Sequence, residues 1–360
     1  MSLQGGMSSD FASLKIDVEP YRYSSSWLIG ASTHAIDRFV ADVERIYQPP
    51  AEHAGGRIEF SLTNKPVVAF AKKRSSRKLR LLNRLRPPPL IDLGDVTFFD
   101  IREDDYFNWS HQVNFFLTLA LGARSAADVS VVIVMSQGMP QQAADLYGQF
   151  GFEILSTDGP VRGRQLHWSV SHRQVVPSAR RQLIAEFMRE HDSDPVAFPT
   201  FELPRKVFLA RRGSRSLSNE REVETVLSDH GFVKVYAEGL TVPQQFALFR
   251  QATDVVGIHG AGLAPMQYRS PSAPPLIFVE LAPAGIVTRW FGIMCEQVGG
   301  HYIAVRGRIK PEYVEGLYAD EPFLSYCNDR FEVDPRSVDV ALEMIASQAG
   351  RGPTWRMPSP

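Results

Sequence analysis

The residues best suited to chemistry stand together in Asp254-Val-Val-Gly-Ile-His259-Gly260-Ala261-Gly262-Leu263-Ala-Pro265-Met266. An apolar run ends at a histidine and two glycines, and a proline follows where a helix can begin. The stretch therefore reads as strand, tight turn, helix. Glycines there let a ligand approach the main chain. Unpaired N–H groups and the helix dipole favour an anion, by roughly 0.3–1 kcal/mol for each interaction. Phosphate is the natural guest. His259 at the mouth of the turn either caps the helix or donates to a phosphate or sugar oxygen. Glycine turns of this kind also occur without any ligand, so the surroundings must decide.

Those surroundings alternate strand and helix. Val207–Ala210 reads as a strand, and Asn219 with Glu222 marks a helix start whose buried stripe is Val223, Val226 and Leu227. Phe232–Tyr236 is the next strand, Thr241 with Gln244 repeats the capping pattern, and Leu276–Leu281 is a further strand. A doubly wound, Rossmann-like domain follows, and ligands in such sheets bind beyond the carboxyl ends of the strands. Three loops converge there: Arg211-Arg212-Gly-Ser214-Arg215, His259 to Gly262, and the end of the strand carrying Glu280. Arginine forks neutralise a diphosphate, the turn supplies N–H donors, and a carboxylate at a strand end accepts from ribose hydroxyls. An NAD-dependent enzyme is a minor alternative, because Pro265 occupies the place of the third glycine in the dinucleotide fingerprint.

The whole chain sets limits. Its 360 residues exceed what one core usually serves, so two domains are expected. The 39 basic and 40 acidic residues nearly cancel, leaving no global field for nucleic acid. Two cysteines, Cys295 and Cys327, exclude a disulfide framework, stand apart from histidine clusters and fit a cytoplasmic protein without a metal site. No apolar run approaches the roughly 18 residues of a membrane span, and Met1 to Asp10 lacks a cleavable signal pattern.

The first half is less regular. Its first 60 residues read as an irregular α/β start, and Val67–Phe70, Val96–Ile101, Val129–Met135 and Phe152–Leu155 as strands. Helices are expected over Pro140–Phe150 and Ser178–His191, and Asp192 to Pro204 is the expected linker. Lys72, Lys73, Arg74, Arg77, Lys78, Arg80, Arg84 and Arg86 form a basic segment closed by prolines. It reads as a solvated loop or as a peripheral contact with the inner face of a membrane. Asn108, His111, Gln112 and Asn114 crowd the start of a helix whose apolar face carries Trp109, Val113, Phe116 and Leu117.

Arg212-Gly-Ser-Arg215-Ser-Leu-Ser-Asn219-Glu220, Gln245, His259-Gly-Ala-Gly-Leu263 and Val279-Glu280 resemble glycosyltransferase family 61 in order and spacing across roughly residues 205–282. The resemblance implies a GT-B-like α/β fold: two Rossmann-like domains with parallel sheets and a cleft between them. The expected divisions are an acceptor-side domain over 1–195, a nucleotide-sugar domain over 196–335, and a terminal helix and tail over 336–360 crossing back to the first. It also implies inverting, metal-independent transfer from a nucleotide-diphosphate sugar, with no cofactor, to a glycan or lipid-linked acceptor in capsule, exopolysaccharide or other surface-glycan synthesis. Arg212, Arg215, His259, Gly260, Ala261, Gly262 and Glu280 would hold the donor, and Asn108, Trp109 and Gln112 the acceptor side. Relatives carry an acidic residue where Gln112 stands, and glutamine cannot act as general base. His111, with Asp105 behind it, is the expected substitute. A sugar-nucleotide binder without turnover is the alternative from another class.

Overall fold

The computed structural model describes residues 13–31, 43–69, 89–102, 108–127, 130–171, 176–286, 289–309 and 327–350. In chain order the strands are β1 (Ser13–Val18), β2 (Tyr21–Tyr23), β3 (Ser26–Ala31), β4 (Val43–Gln48), β5 (Ala51–His53), β6 (Gly56–Leu62), β7 (Val67–Ala69), β8 (Ile91–Asp100), β9 (Val131–Met135), β10 (Glu153–Ser156) and β11 (Val161–Val170), then β12 (Lys206–Ala210), β13 (Val233–Tyr236), β14 (Asp254–Ile258), β15 (Ile277–Ala282) and β16 (His301–Arg306). The main helices are α1 (Leu117–Ala127), α2 (Gln141–Gln149), α3 (Val176–His191), α4 (Glu220–Asp229), α5 (Val242–Gln251), α6 (Trp290–Gln297) and α7 (Pro335–Gln348).

Two compact units result. One comprises residues 1–21 and 52–198, the other 22–51 and 199–360. The chain passes between them after Tyr21, after Ala51 and after Phe198, the last inside the Asp192–Pro204 segment. Phe198 is buried against Phe150 and Phe187, which anchors that end of the segment in the first unit.

The first unit carries the order β1-β6-β11-β8-β9-β10, with β7 also on β11. Strands β11, β8, β9 and β10 run parallel. The path from β8 through α1, β9 and α2 to β10 is Rossmann-like, and β9 is apolar throughout, as a strand covered on both faces must be. β1, β6 and β7 add antiparallel partners.

The second unit has the order β13-β12-β14-β15-β16-β3-β4, parallel except for the edge strand β4. One side of the sheet buries Phe208, Val256, Val279, Ile303 and Ile29, and the other Val207, Leu209, Phe278 and Ala304. Two expectations are corrected here. Residues 22–51, expected in the first domain, supply β3 and β4 of this sheet, because the free edge of β16 is satisfied by β3. The terminal helix α7 packs in the second unit instead: Val338, Ala341, Leu342 and Ile345 recur at helical spacing and are buried in its core, while the tail 351–360 lies outside the described residues.

Candidate donor and acceptor sites

Strand order places the first site. From β12 the chain winds outward to β13, then returns to β14 on the opposite side of β12. The loops leaving β12 and β14 therefore part at a topological switch point, where doubly wound sheets bind ligands. The first loop carries Arg211, Arg212 and Arg215, the second His259 to Gly262.

They meet closely. A Cβ at Gly260 would overlap Nη1 of Arg211, so the glycine exists to admit the guanidinium; its φ of 167° is ordinary extended backbone. Arg211 is aimed by its own loop, with Nε donating to the Ser214 carbonyl at 2.7 Å. The loop turns through two left-handed residues, Gly213 at φ 72° and Arg215 at φ 58°. The latter is uncommon for a residue with a Cβ. Asn328 compensates, its carbonyl accepting from the Arg215 N–H at 3.0 Å and its Oδ1 from the guanidinium at 2.9 and 3.1 Å. Arg212 instead stacks its guanidinium over Tyr236, 4.3 Å from the ring centre, and Tyr236 is tethered to Glu220 by a 2.7 Å hydrogen bond. Around the turn, Ala237 in the loop after β13 leaves no room for a Cβ at Gly262.

The segment after the turn, Ala261–Tyr268, is a 3-10 helix rather than an α-helix. Pro265, inside this segment, has no N–H to give to a preceding carbonyl, and its ring crowds the preceding turn, so a regular α-helix is disfavoured there. At its start the main chain of Gly260 lies against the Arg211 guanidinium.

His259 follows β14 directly, its N–H donating to the Leu281 carbonyl at 2.8 Å. Its Nδ1 lies 2.5 Å from Oε1 of Glu280, and Oε2 of Glu280 accepts from the Tyr302 hydroxyl at 2.7 Å. Glu280 is 1% exposed. The expected ribose contact is thus corrected: both carboxylate oxygens are engaged inside the sheet, and the charge serves His259. Burial, and after it the adjacent carboxylate, push the Tyr302 phenol well above its usual value, so it remains a donor. Sequence reasoning misses Arg211 as a separate feature and Tyr302 altogether. Strand register is the signal that finds Tyr302, because it opposes Phe278 in the β15–β16 pairing and so shares a face with Glu280, two residues on.

On the first unit, Asn108 is an N-cap, its Oδ1 accepting from the N–H groups of Ser110 and His111 at 3.0 and 3.3 Å. Three consecutive helical stretches follow: Trp109–His111, a π turn over Gln112–Phe116, and α1. Gln112 is fully buried and its Oε1 accepts from the Tyr147 hydroxyl at 2.7 Å; Trp109 is also interior. The expectation that Trp109 and Gln112 serve the acceptor side is corrected, since both side chains are buried. His111 alone of this group stands exposed. Asp105, Met1 to Asp10 and the basic segment Lys72–Arg86 lie outside the described residues. Among the described residues no group of three His, Cys, Asp or Glu is placed to hold a metal ion, and no helix is long and apolar enough to cross a membrane.

Residues 106–274 match a protein-family model described as Glycosyltransferase 61. No curated protein matches the chain. Among solved structures, the chain is similar to a dodecameric iron-containing heptosyltransferase, TibC, in complex with ADP-D-β-D-heptose: 11% identity, 73% of this chain and 78% of that one covered, TM-score 0.38. A second structure of TibC, from enterotoxigenic E. coli H10407, aligns at 12% identity over 61% of this chain and 65% of that one, TM-score 0.34.

Proposed function

Since residues 106–274 belong to glycosyltransferase family 61 and the protein is thereby a glycosyltransferase, we propose that it transfers a sugar from a nucleotide-diphosphate donor held on the second unit, with inversion and without a metal. The observation that carries this reading is the meeting of the Arg211 guanidinium with the Gly260 turn at the switch point between β12 and β14. Fixed cations and main-chain N–H groups there supply the stabilisation that a departing diphosphate needs. Arg212, His259, Gly260, Ala261 and Gly262 complete the proposed donor site, and Arg215 holds its loop in shape through Asn328.

His111 is the proposed base, exposed at the start of its helix, with Asp105 as its proposed support. The acceptor hydroxyl gives its proton to the imidazole as its oxygen bonds to the anomeric carbon, and the bond to the diphosphate breaks. A glycan or lipid-linked acceptor in bacterial surface-polysaccharide synthesis, approached from the cytoplasmic face of the membrane, fits such a donor. The binder without turnover keeps one supporting observation, the burial of Gln112 against Tyr147 where relatives carry an acid.

A thermal-shift screen of nucleoside diphosphates, with and without EDTA, tests the donor reading, because a ligand of the native state raises its melting temperature. The expected result is metal-independent stabilisation that weakens in Arg212→Ala. No stabilisation by any nucleoside diphosphate, or stabilisation that EDTA removes, overturns it. Stabilisation by NAD in its place would return the glycine turn to the dehydrogenases.

A further inference from the structure

Three neighbouring strands present a connected row of polar side chains: His259 after β14, Glu280 on β15 and Tyr302 on β16. Glu280 is 1% exposed and Tyr302 5%, and the two hydrogen bonds of the row lead from Tyr302 through Glu280 to His259. A buried carboxylate is costly to desolvate, so a chain that retains one in a parallel sheet gains something by it. The surrounding packing is shaped to this row. Phe291 meets the His259 ring edge-on at 5.1 Å, and at Gly292 a Cβ would come within 2.6 Å of the Tyr302 ring. Helix α6 thus closes over both ends of the row with two adjacent residues.

We propose that Tyr302 and Glu280 are positioning residues that hold the His259 imidazole with its Nδ1–H bound inward, leaving Nε2 to meet the diphosphate of the donor at the Gly260 turn. The proposal rests on the donor reading above and adds residues to it. Tyr302 donates to one oxygen of Glu280, which turns the other toward Nδ1. The carboxylate accepts only, so the ring must place a proton on Nδ1 and present Nε2 outward. To donate to the diphosphate as well, the ring takes up a second proton on Nε2 as the donor binds, and the imidazolium then bonds both anions; charge-assisted bonds of this kind are about twice as strong as neutral ones. The charged and titratable groups around the row are Arg211 beside Gly260, Arg289 and Cys295 from α6 and its approach, and Glu280 and Tyr302 themselves.

The test is a double-mutant cycle on the whole protein. Calorimetric titration with the nucleoside diphosphate that stabilises the wild type is repeated on Tyr302→Phe, Glu280→Gln, His259→Ala, and the pairs with His259→Ala. Tyr302→Phe is expected to weaken binding about tenfold and Glu280→Gln more, with both losses vanishing in the His259→Ala background. A loss that persists without His259, or a silent Tyr302→Phe, overturns the proposal while the donor reading stands. A wild type that binds no nucleotide overturns both. The imidazole 15N spectrum gives a readout that packing alone does not move: a protonated Nδ1 in the wild type, shifting to Nε2 in Glu280→Gln, where the amide NH2 faces the ring. An unchanged tautomer there counts against the proposal.

Discussion

The Arg211 guanidinium occupies the volume that a side chain at Gly260 would need, so one residue's absence of atoms positions the other's charge. Gly260→Ala separates the two effects of that contact. The backbone at φ 167° accepts alanine, and the obstructing atom ends a flexible side chain, so stability should change by less than about 1 kcal/mol. Affinity for a nucleoside diphosphate should fall roughly tenfold, and Arg211→Ala with Gly260→Ala should lose no more than Arg211→Ala alone. Additive losses would show that the glycine acts by some other route.

Gln112 provides a second expectation. Its amide is buried and accepts from Tyr147, so Gln112→Ala removes a buried hydrogen bond and should cost about 1–3 kcal/mol in chemical denaturation. Gln112→Glu should destabilise as well and should not raise turnover, because the new carboxylate would lie in the core. A gain in transfer rate would contradict the interior placement.

His111→Ala tests the base. An exposed side chain should leave stability within about 0.5 kcal/mol, while transfer falls by roughly 10²–10⁴ and donor affinity holds. Equal transfer rates in the two proteins would move catalysis elsewhere and favour the binder.

The pH dependence of stability should bear the mark of His53. Burial first, and the positive charge of Arg180 second, hold its imidazole below the ordinary 6.5. The unfolded chain therefore binds the proton first, so the stabilisation is complete above pH 6.5 and lost as pH falls from there toward the depressed folded value. Melting temperatures of His53→Asn should decline less steeply than those of the wild type below pH 6.5. Parallel declines would remove His53 from the account.

Ile345, fully buried, probes the placement of the terminal helix. Ile345→Ala should cost about 2–5 kcal/mol, as for any large-to-small change in a packed core. A loss under about 1 kcal/mol would mean that α7 is peripheral to the second unit.

Legibility follows local pattern. β12, β14 and β15 are short, mostly apolar runs bounded by helix signals, so the amino-acid sequence alone is enough to bring the loops at their ends to one sheet edge. β6 is equally patterned, with Ile58, Phe60 and Leu62 buried in alternation, but among the described residues around it, 43–69, no helix punctuates the strands. β11 escapes a local reading because its pairing is decided by β6 and β8, far away in sequence. The site divides similarly. Glycines and arginines announce a phosphate-friendly turn, whereas the burial of Glu280 and Gln112 depends on partners, Tyr302 and Tyr147, that only folding brings near.

The pairing of β3 with β16 makes the second unit discontinuous: Trp27 must find Ile303. During synthesis at roughly 5–20 residues per second, β3 and β4 wait on the order of tens of seconds before the neighbouring strand exists. Throughout that interval β3 exposes an unpaired, apolar edge, which is a template for aggregation. A fragment ending at Phe198 would carry the same edge permanently. The two halves of this protein should therefore be recovered in soluble form together, and removing residues 22–51 should harm the C-terminal unit more than the N-terminal one.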